Sequence, residues 1–157
     1  MTPKVGDNAP MFTLKTLKSG KLIDVNIAEE LEKRSVVLLF FPFAFSSVCT
    51  KELCDMSDMM SEYTSLDAEV FGISVDSPFA LDAFARANRI SVTLLSDFNK
   101  EVSTKYGVIF KELLGMKGVS KRAAFAIDSG GFVRYAESSD DPVKVPDFAK
   151  IEAALRG

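Results

Sequence analysis

The segment Ser35–Phe41 constrains the fold of this chain more strongly than any other. It reads Ser-Val-Val-Leu-Leu-Phe-Phe, a nearly continuous apolar run rich in β-branched and aromatic residues. Such a run is typical of a strand that is buried on both faces, as happens where helices cover both sides of a sheet. The sequence therefore predicts an α/β domain built around this strand.

Helical and extended patterns alternate after this strand. Pro42 ends it, a helix is predicted from about Cys49 to Tyr63, and the apolar segment Glu69–Val75 is the next strand. Other strands are predicted at Met11–Leu14, Lys21–Val25, Thr93–Leu95, Ala123–Ile127 and Phe132–Ala136, and other helices at Ile27–Leu31, Pro78–Asn88, 97–106 and Asp147–Leu155. The order β-α-β-α followed by β-β-α is that of a thioredoxin-like α/β fold. We expect a central mixed β-sheet flanked by helices, with an N-terminal β extension, in one domain over residues 1–157.

Charge and hydropathy exclude several classes of partner. The net charge is -3 and the sequence has no basic run, so neither a nucleic acid nor a membrane surface is an expected partner. The first residues, Met1–Pro10, lack the apolar stretch of a secretory signal, and the longest apolar run, Val36–Phe45, is too short to span a bilayer. We therefore expect a cytoplasmic protein, in a compartment where thiols stay reduced.

The chain has two cysteines and no histidine. Without imidazole, Cys-His and Ser-His nucleophile pairs are impossible, and two cysteines cannot complete a four-ligand zinc site. No metal or organic cofactor is expected. Cys49 lies at the predicted first turn of a helix, where unpaired N–H groups and the helix dipole favour a thiolate. By position alone, a reactive thiolate and an inert core thiol remain equally open.

A motif that ends at Cys49 indicates which of these applies. The segment 42–49 resembles the peroxiredoxin active-site pattern Pro-x-x-x-Thr/Ser-x-x-Cys, with Pro42, Ser46 and Cys49 at its fixed positions. Two further segments, 5–10 and 122–128, are similar to the N-terminal entry and to a later strand of the same family. The resemblance covers nearly the whole chain in the right order, so it favours a catalytic Cys49.

The resemblance implies a thiol-dependent peroxidase that reduces hydrogen peroxide and organic hydroperoxides through a Cys49 sulfenic acid. It implies that the Ser46 hydroxyl, the Arg122 guanidinium and the Cys49 backbone N–H are donors to the peroxide oxygens. Pro42 would shield the sulfur, and Glu52 would hold Arg122 in place through a charge-assisted hydrogen bond. A thioredoxin-like or other thiol reductant would recycle the enzyme.

Each of these residues also has a purely structural interpretation. Pro42 could only end a strand, Ser46 could only cap a helix, and Arg122 could be a surface arginine. Glu52 could be a solvated acid in the first helical turn. Ser46 also departs from the Thr that is more frequent in the family, so the methyl group that helps to direct the hydroxyl is missing.

Cys54 raises the question of how the sulfenic acid is resolved. The spacing Cys-x-x-x-x-Cys resembles the bacterioferritin-comigratory (PrxQ-type) group, in which the second cysteine forms a disulfide with the first. The loop Phe41–Glu52 also resembles the AhpE-type group, many of which use one cysteine. Five residues of α-helix separate the two Cα atoms by roughly 8 to 9 Å, beyond the roughly 7 Å limit for a disulfide. Cys54 therefore resolves Cys49 only after local unwinding, or an external thiol resolves it and Cys54 is a buried thiol.

Two other functions and one assembly state remain as expectations. A general disulfide oxidoreductase would fit the fold, although the Cys-x-x-Cys expected of one is absent, and a redox-sensing or chaperone-like interaction protein is the second alternative. The apolar loop Phe43–Phe45 favours a homodimer that packs its active-site loops together.

Overall fold

The computed structural model describes residues 2–157, which form nine strands and six helices. The strands are β1 (Thr13–Lys18), β2 (Lys21–Asn26), β3 (Ser35–Phe40), β4 (Ala68–Ser74), β5 (Thr93–Ser96), β6 (Ile109–Leu113), β7 (Met116–Ser120), β8 (Arg122–Ile127) and β9 (Val133–Ser139). The helices are α1 (Ile27–Leu31), α2 (Ser47–Asp58), α3 (Met60–Ser65), α4 (Pro78–Asn88), α5 (Glu101–Lys105) and α6 (Phe148–Arg156).

Seven of these strands form one mixed sheet in the order β2-β1-β5-β4-β3-β8-β9. The strands β3, β4 and β5 are parallel, whereas β8 and β9 continue the sheet antiparallel on the other side of β3. The β1–β2 hairpin joins the far edge through a pairing of Lys15 with Ser96. The predicted mixed sheet and its N-terminal β extension are both confirmed.

The central strand β3 divides the core into two halves. The side chains along β3 point alternately to the two faces of the sheet, and this alternation continues through Phe41. Leu38 and Phe40 pack in the hydrophobic cluster on one face, and Leu39 and Phe41 pack in the cluster on the other face. All four are fully buried, which confirms the prediction of a strand covered on both faces. The second cluster also contains Cys49, whose side chain is buried within it.

The predicted helix from Cys49 to Tyr63 is wrong in its extent. The chain forms α2 and α3 instead, separated by Met59, whose φ of -97° and ψ of 2° depart from helical geometry. The Met59 N–H bonds to the Met56 carbonyl at 3.0 Å and closes α2 with a tight turn. The segment that carries both cysteines is therefore a separate 12-residue helix.

The helix predicted from Asp97 to Tyr106 is shorter, because α5 covers only Glu101–Lys105. Lys100 occupies the N-cap position, but the Asp97 carboxylate accepts hydrogen bonds from the N–H groups of Val102 and Ser103 in the first turn of α5.

The hairpin β6–β7 was not predicted from the sequence. Its turn places Leu114 and Gly115 at positive φ, 54° and 81°. Turns of this kind are usually signalled by Asn-Gly or Asp-Gly, and a leucine at the first position gives no such signal. This hairpin matters for the site because its tip reaches the cavity beside Cys49.

Candidate active site

The sheet brings Cys49 and Arg122 together at the edge formed by the carboxyl ends of its parallel strands. Cys49 follows the carboxyl end of β3, and Arg122 is the first residue of β8. Because β8 is antiparallel to β3, with Ala123 opposite Phe40, the start of β8 lies beside the end of β3. Two residues that are 73 positions apart in the sequence thus become neighbours.

Arg122 binds three partners, one through each nitrogen of its guanidinium group. Nη2 donates to the Cys49 sulfur at 3.0 Å, Nη1 to Glu52 Oε1 at 2.5 Å, and Nε to the Pro142 carbonyl at 2.8 Å. The Arg122 side chain is 2% exposed, so the interpretation as a surface arginine is wrong. A buried cation that is fixed from three sides and in contact with the sulfur stabilises a thiolate.

Glu52 is fully buried behind Arg122, so the interpretation as a solvated acid is wrong. It lies three residues after Cys49 on α2, which places both side chains on the same face of the helix, towards Arg122. Its second oxygen, Oε2, has no hydrogen-bond partner within residues 2–157. Burial raises the pKa of this carboxyl group from 4.5 to about 7, and the attraction of Arg122 opposes the rise. Near neutral pH, Glu52 therefore exists in both protonation states.

This raised pKa predicts a pH-dependent stability that Glu52→Gln removes. The folded protein binds the Glu52 proton more tightly than the unfolded chain does. The contribution of Glu52 to stability is therefore fully present below about pH 4.5 and is lost as the pH rises through about 7. Between pH 5 and pH 8, the free energy of unfolding of the wild type should fall by about 2 kcal/mol more than that of Glu52→Gln. Urea unfolding of the reduced protein at a series of pH values measures this difference.

The matched control for this experiment is Glu62→Gln, which removes an exposed carboxylate on α3. Its pH profile should run parallel to that of the wild type. Parallel profiles for the wild type and Glu52→Gln would contradict the prediction.

The start of α2 presents Cys49 to the cavity. Cys49 is the third residue of α2, so its N–H is among the groups that a helix leaves without an intrahelical partner, at the positive end of the dipole. Ser46 occupies the N-cap position, but its hydroxyl donates to the Phe43 carbonyl at 2.8 Å and makes no capping bond. The interpretation of Ser46 as a side-chain cap is therefore wrong. The bond to Phe43 fixes the direction of the hydroxyl, which compensates for the missing methyl group of Thr.

The loop between β3 and α2 is tied to β4 by Asp76. The Asp76 carboxylate accepts hydrogen bonds from the Ala44 N–H at 2.9 Å and from the Ser74 hydroxyl at 2.6 Å. Asp76 does not cap the helix that follows it, because Ser77 occupies the N-cap position of α4. Asp76 and Pro142 are thus contributors that the sequence did not reveal, since each contributes through contacts distant in sequence.

Four of the six predicted site residues line one cavity of about 210 Å³: Pro42, Ser46, Cys49 and Arg122. Pro42 is buried, lies two residues after the last residue of β3 and forms a wall of the cavity beside the sulfur. Glu52 lies behind Arg122, where it holds the guanidinium group. Cys49 itself is 1% exposed.

Cys54 is not brought to this cavity. Its sulfur lies 3.7 Å from the Asn88 carbonyl at the end of α4, and the side chain is half-buried. Cys49 and Cys54 are both free thiols in the part of the chain that the structure describes. The two thiols therefore have different hydrogen-bond partners, Arg122 for Cys49 and the Asn88 carbonyl for Cys54.

Two kinds of feature are absent from residues 2–157. They contain no group of three or more His, Cys, Asp or Glu side chains placed to bind a metal ion. No helix among them has the length and apolarity needed to cross a bilayer.

Comparisons with known proteins agree on one family. The AhpC/TSA family profile matches residues 5–136. The 2-cysteine peroxiredoxin of Chattonella marina var. antiqua is 34% identical over 143 residues, covering 87% of this chain and 71% of that protein. The mitochondrial thioredoxin-dependent peroxide reductase of Mus musculus is 33% identical over 149 residues. That match covers 90% of this chain, which spans only 56% of the mouse protein's length.

Solved structures give the same result for the fold. Peroxidoxin BcpB from Mycobacterium tuberculosis superposes with a TM-score of 0.84 at 32% identity, over 98% of this chain and 97% of that one. The reduced 2-Cys peroxiredoxin of Plasmodium vivax gives a TM-score of 0.86 at 28% identity, over 97% of this chain and 80% of that one. The predicted thioredoxin-like fold is confirmed.

Proposed function

This chain belongs to the AhpC/TSA family of peroxiredoxins, and from that premise we propose that it is a thiol peroxidase that reduces peroxides through Cys49. The observation that carries the proposal is the contact of 3.0 Å between Arg122 Nη2 and the Cys49 sulfur. This contact lies in a cavity at the start of α2, where the helix dipole adds to the charge of Arg122.

The reaction needs no group beyond the thiolate and the peroxide. The Cys49 thiolate attacks one oxygen, the S–O bond forms and the O–O bond breaks. Sulfur is oxidised to sulfenic acid, while the other oxygen leaves as an alkoxide or hydroxide that takes up a proton as alcohol or water. Two electrons pass from sulfur to the peroxide.

Charge develops on the leaving oxygen in the transition state. Arg122 and the Cys49 N–H are donors that are already in position, and donors of this kind stabilise such charge most when they are held in a buried site. The resemblance implied that the Ser46 hydroxyl donates to the peroxide, but in the resting state its proton is donated to the Phe43 carbonyl. We propose instead that the Ser46 oxygen accepts a hydrogen bond from the peroxide O–H. Pro42 limits the access of water to the sulfenic acid.

We propose that Cys54 resolves the sulfenic acid after α2 unwinds. The Cys54 thiol would condense with it, forming the disulfide and releasing water, and a thioredoxin-like dithiol would then reduce the disulfide. The break at Met59 supports this proposal, because α2 ends there and unwinding of its first turns need not extend into α3. The competing route is attack by an external thiol, with Cys54 remaining on the helix.

The alternative functions are not favoured. Relatives that are named as peroxiredoxins and as a thioredoxin-dependent peroxide reductase support peroxide chemistry rather than general disulfide exchange or sensing.

A cytoplasmic location remains our proposal, supported by a mechanism that requires Cys49 to return to its reduced state.

The experiment that tests the proposed function is stopped-flow oxidation of the reduced wild-type protein by hydrogen peroxide. We expect the rate constant to exceed that of free cysteine by several orders of magnitude, with a sulfenic acid trapped on Cys49 and identified by mass spectrometry. A rate no faster than that of free cysteine would refute the proposal.

We also propose that the chain forms a homodimer through the edge of the sheet that carries the active site. Phe45, Phe79 and Phe98 are each more than half exposed, and each follows the carboxyl end of one of three adjacent parallel strands. Phe79 and Phe98 also line a largely apolar groove of about 600 Å³. Three exposed aromatic side chains on one edge are typical of a protein interface.

If the dimer forms through these exposed phenylalanines, negative charges introduced there should prevent the two chains from associating. The double variant Phe79→Glu/Phe98→Glu should sediment as a monomer at micromolar concentration, whereas the wild type sediments as a dimer. Phe132→Glu is the matched control, because Phe132 is also exposed but follows β8 at the opposite edge of the sheet. A monomeric wild type would contradict the proposal.

A further inference from the structure

The peptide group between Phe43 and Ala44 carries a hydrogen bond at each end. Its N–H, which belongs to Ala44, donates to Asp76 Oδ2 at 2.9 Å. Its carbonyl, which belongs to Phe43, accepts from the Ser46 hydroxyl at 2.8 Å. Because a peptide group is a planar unit, a contact that fixes the N–H also fixes the direction of the carbonyl. The Asp76 carboxylate and the Ser46 hydroxyl are therefore connected through a single rigid group.

Asp76 is itself held by the ends of two strands. The Ser74 hydroxyl, at the end of β4, donates to Asp76 Oδ2 at 2.6 Å, and the Asp76 N–H donates back to Ser74 Oγ at 3.2 Å. The Ser96 hydroxyl, at the end of β5, donates to the Asp76 carbonyl at 2.6 Å. Both serines are buried. Asp76 thus anchors the loop before α2 to the carboxyl ends of β4 and β5.

The conformation of this loop makes such an anchor necessary. Phe45, between Ala44 and Ser46, has a φ of 67°, which is the left-handed region that an aromatic residue rarely adopts. A strained residue of this kind persists only where its surroundings hold it. The Phe45 ring packs against Phe84 of α4, with 5.1 Å between the ring centroids. The bond from Ala44 to Asp76 holds the backbone directly before the strained residue.

The direction of the Ser46 hydroxyl determines what this group offers to a peroxide. A serine hydroxyl has one proton to donate and lone pairs to accept with. The proton is engaged by the Phe43 carbonyl, so the lone pairs remain for the cavity, which Ser46 lines together with Cys49. If the Phe43 carbonyl turned away, the hydroxyl would rotate among several directions, and only some of them present the oxygen as an acceptor.

We propose that Asp76 is a positioning residue for the peroxidase reaction, which fixes the Phe43–Ala44 peptide group and thereby keeps the Ser46 oxygen directed as an acceptor for the peroxide O–H. This inference rests on the proposed peroxidase function and adds a residue outside the motif that ends at Cys49. Asp76 does not line the cavity, so it acts on the reaction through Ser46.

The first test compares two substitutions of Asp76 in stopped-flow oxidation of reduced protein by hydrogen peroxide. Asp76→Ala removes the acceptor for the Ala44 N–H, and the rate constant should fall about tenfold, because a reacting group that loses its fixed orientation reacts more slowly. Asp76→Asn keeps a carbonyl oxygen that accepts the same bond, so its rate constant should stay within about twofold of the wild type. Equal losses in the two variants would indicate an effect of the negative charge and would overturn the proposal.

Amide hydrogen exchange reports on the anchoring bond itself. The Ala44 N–H should be protected in the wild type and in Asp76→Asn, and it should exchange rapidly in Asp76→Ala. Asp76→Ser is a second variant that removes the anchor. Its hydroxyl remains as a partner for Ser74 but is too short to reach Ala44, and its rate constant should fall by the same factor. A wild-type rate in a variant whose Ala44 N–H has lost its protection would contradict the proposal.

The second test is a double-mutant cycle between Asp76 and Ser46. In the Ser46→Ala background, Asp76→Ala should change the rate constant by less than about twofold, because the hydroxyl that Asp76 orients is no longer there. A residue that only stabilises the fold would slow the reaction by the same factor in both backgrounds. Effects that multiply would therefore overturn the proposal.

The matched control is Ser77→Ala, which changes the residue next to Asp76. Ser77 caps α4 by accepting a hydrogen bond from the Ala80 N–H at 3.1 Å, so this variant loosens the same segment but leaves the bond between Ala44 and Asp76 intact. Its rate constant should equal that of the wild type, and thermal unfolding measures the stability that each variant loses. A loss of rate as large as that of Asp76→Ala would overturn the proposal.

The outcomes separate this inference from the proposed function. If the wild type reacts rapidly with hydrogen peroxide and the Asp76 variants react as fast, only the positioning role is overturned. If the wild type reacts no faster than free cysteine, the peroxidase proposal fails, and the positioning role fails with it.

Discussion

Replacing Cys49 with serine is expected to abolish peroxide consumption, the largest effect that any single substitution should have on this protein. The serine hydroxyl keeps the shape of the thiol, but its proton is not lost near neutral pH and no nucleophile forms. The Arg122 guanidinium stabilises a thiolate through its contact with the sulfur, but it does not turn a neutral serine hydroxyl into a nucleophile. Stopped-flow measurement with hydrogen peroxide should give only the background rate.

The matched control is Cys54→Ser, which changes the second cysteine on the same helix. Cys54 lies outside the cavity, so oxidation of Cys49 should proceed at the wild-type rate in this variant.

The two routes of resolution differ in the fate of the sulfenic acid. If Cys54 resolves, tryptic mapping after one equivalent of peroxide shows a Cys49–Cys54 linkage in the wild type, and Cys54→Ser accumulates sulfenic acid. Wild-type turnover by Cys49→Ser would contradict the proposed mechanism itself.

Replacing Arg122 with methionine is expected to lower the rate constant for Cys49 oxidation by about 10²- to 10³-fold, the order found when a positioned donor is removed from a charge-stabilising site. The variant loses both the cation beside the thiolate and the donor for the leaving oxygen. Arg122→Lys should recover only part of the loss. An ammonium group keeps the charge but cannot bind Cys49, Glu52 and Pro142 with three nitrogens at fixed angles.

The single variant Arg122→Met also leaves the buried Glu52 without its partner, which destabilises the fold by itself. The double variant Arg122→Met/Glu52→Gln removes this unpaired carboxyl group, so its rate reports on catalysis rather than on folding. Thermal unfolding of each variant provides the check. Arg134→Met, at an exposed arginine of β9, is the control for loss of charge. A double variant that folds and reacts as fast as the wild type would refute the assigned role of Arg122.

Much of the architecture could be predicted because it depends on local pattern. The apolar run that forms β3 and the alternation of strands and helices were readable along the chain, and so were the bounds of α1 and α4. The elements that were missed or misplaced lack the residues that usually signal them. The β6–β7 hairpin has a turn without its usual residues, and the break at Met59 has no Pro or Gly beside it to announce it.

The sequence by itself was enough to propose Cys49 as the nucleophile and to limit the residue types available to activate it. The absence of histidine and the motif from Pro42 to Cys49 indicated a thiolate stabilised by a helix start and a cation. Only the tertiary structure decided between the alternatives for Ser46, Glu52 and Arg122. Burial and hydrogen bonding depend on which strands become neighbours, and the antiparallel pairing of β8 with β3 placed Arg122 between Glu52 and the sulfur. Leu114, from the hairpin before β8, and Val143, from the loop after β9, also line this cavity, and no local pattern of the sequence specifies that placement.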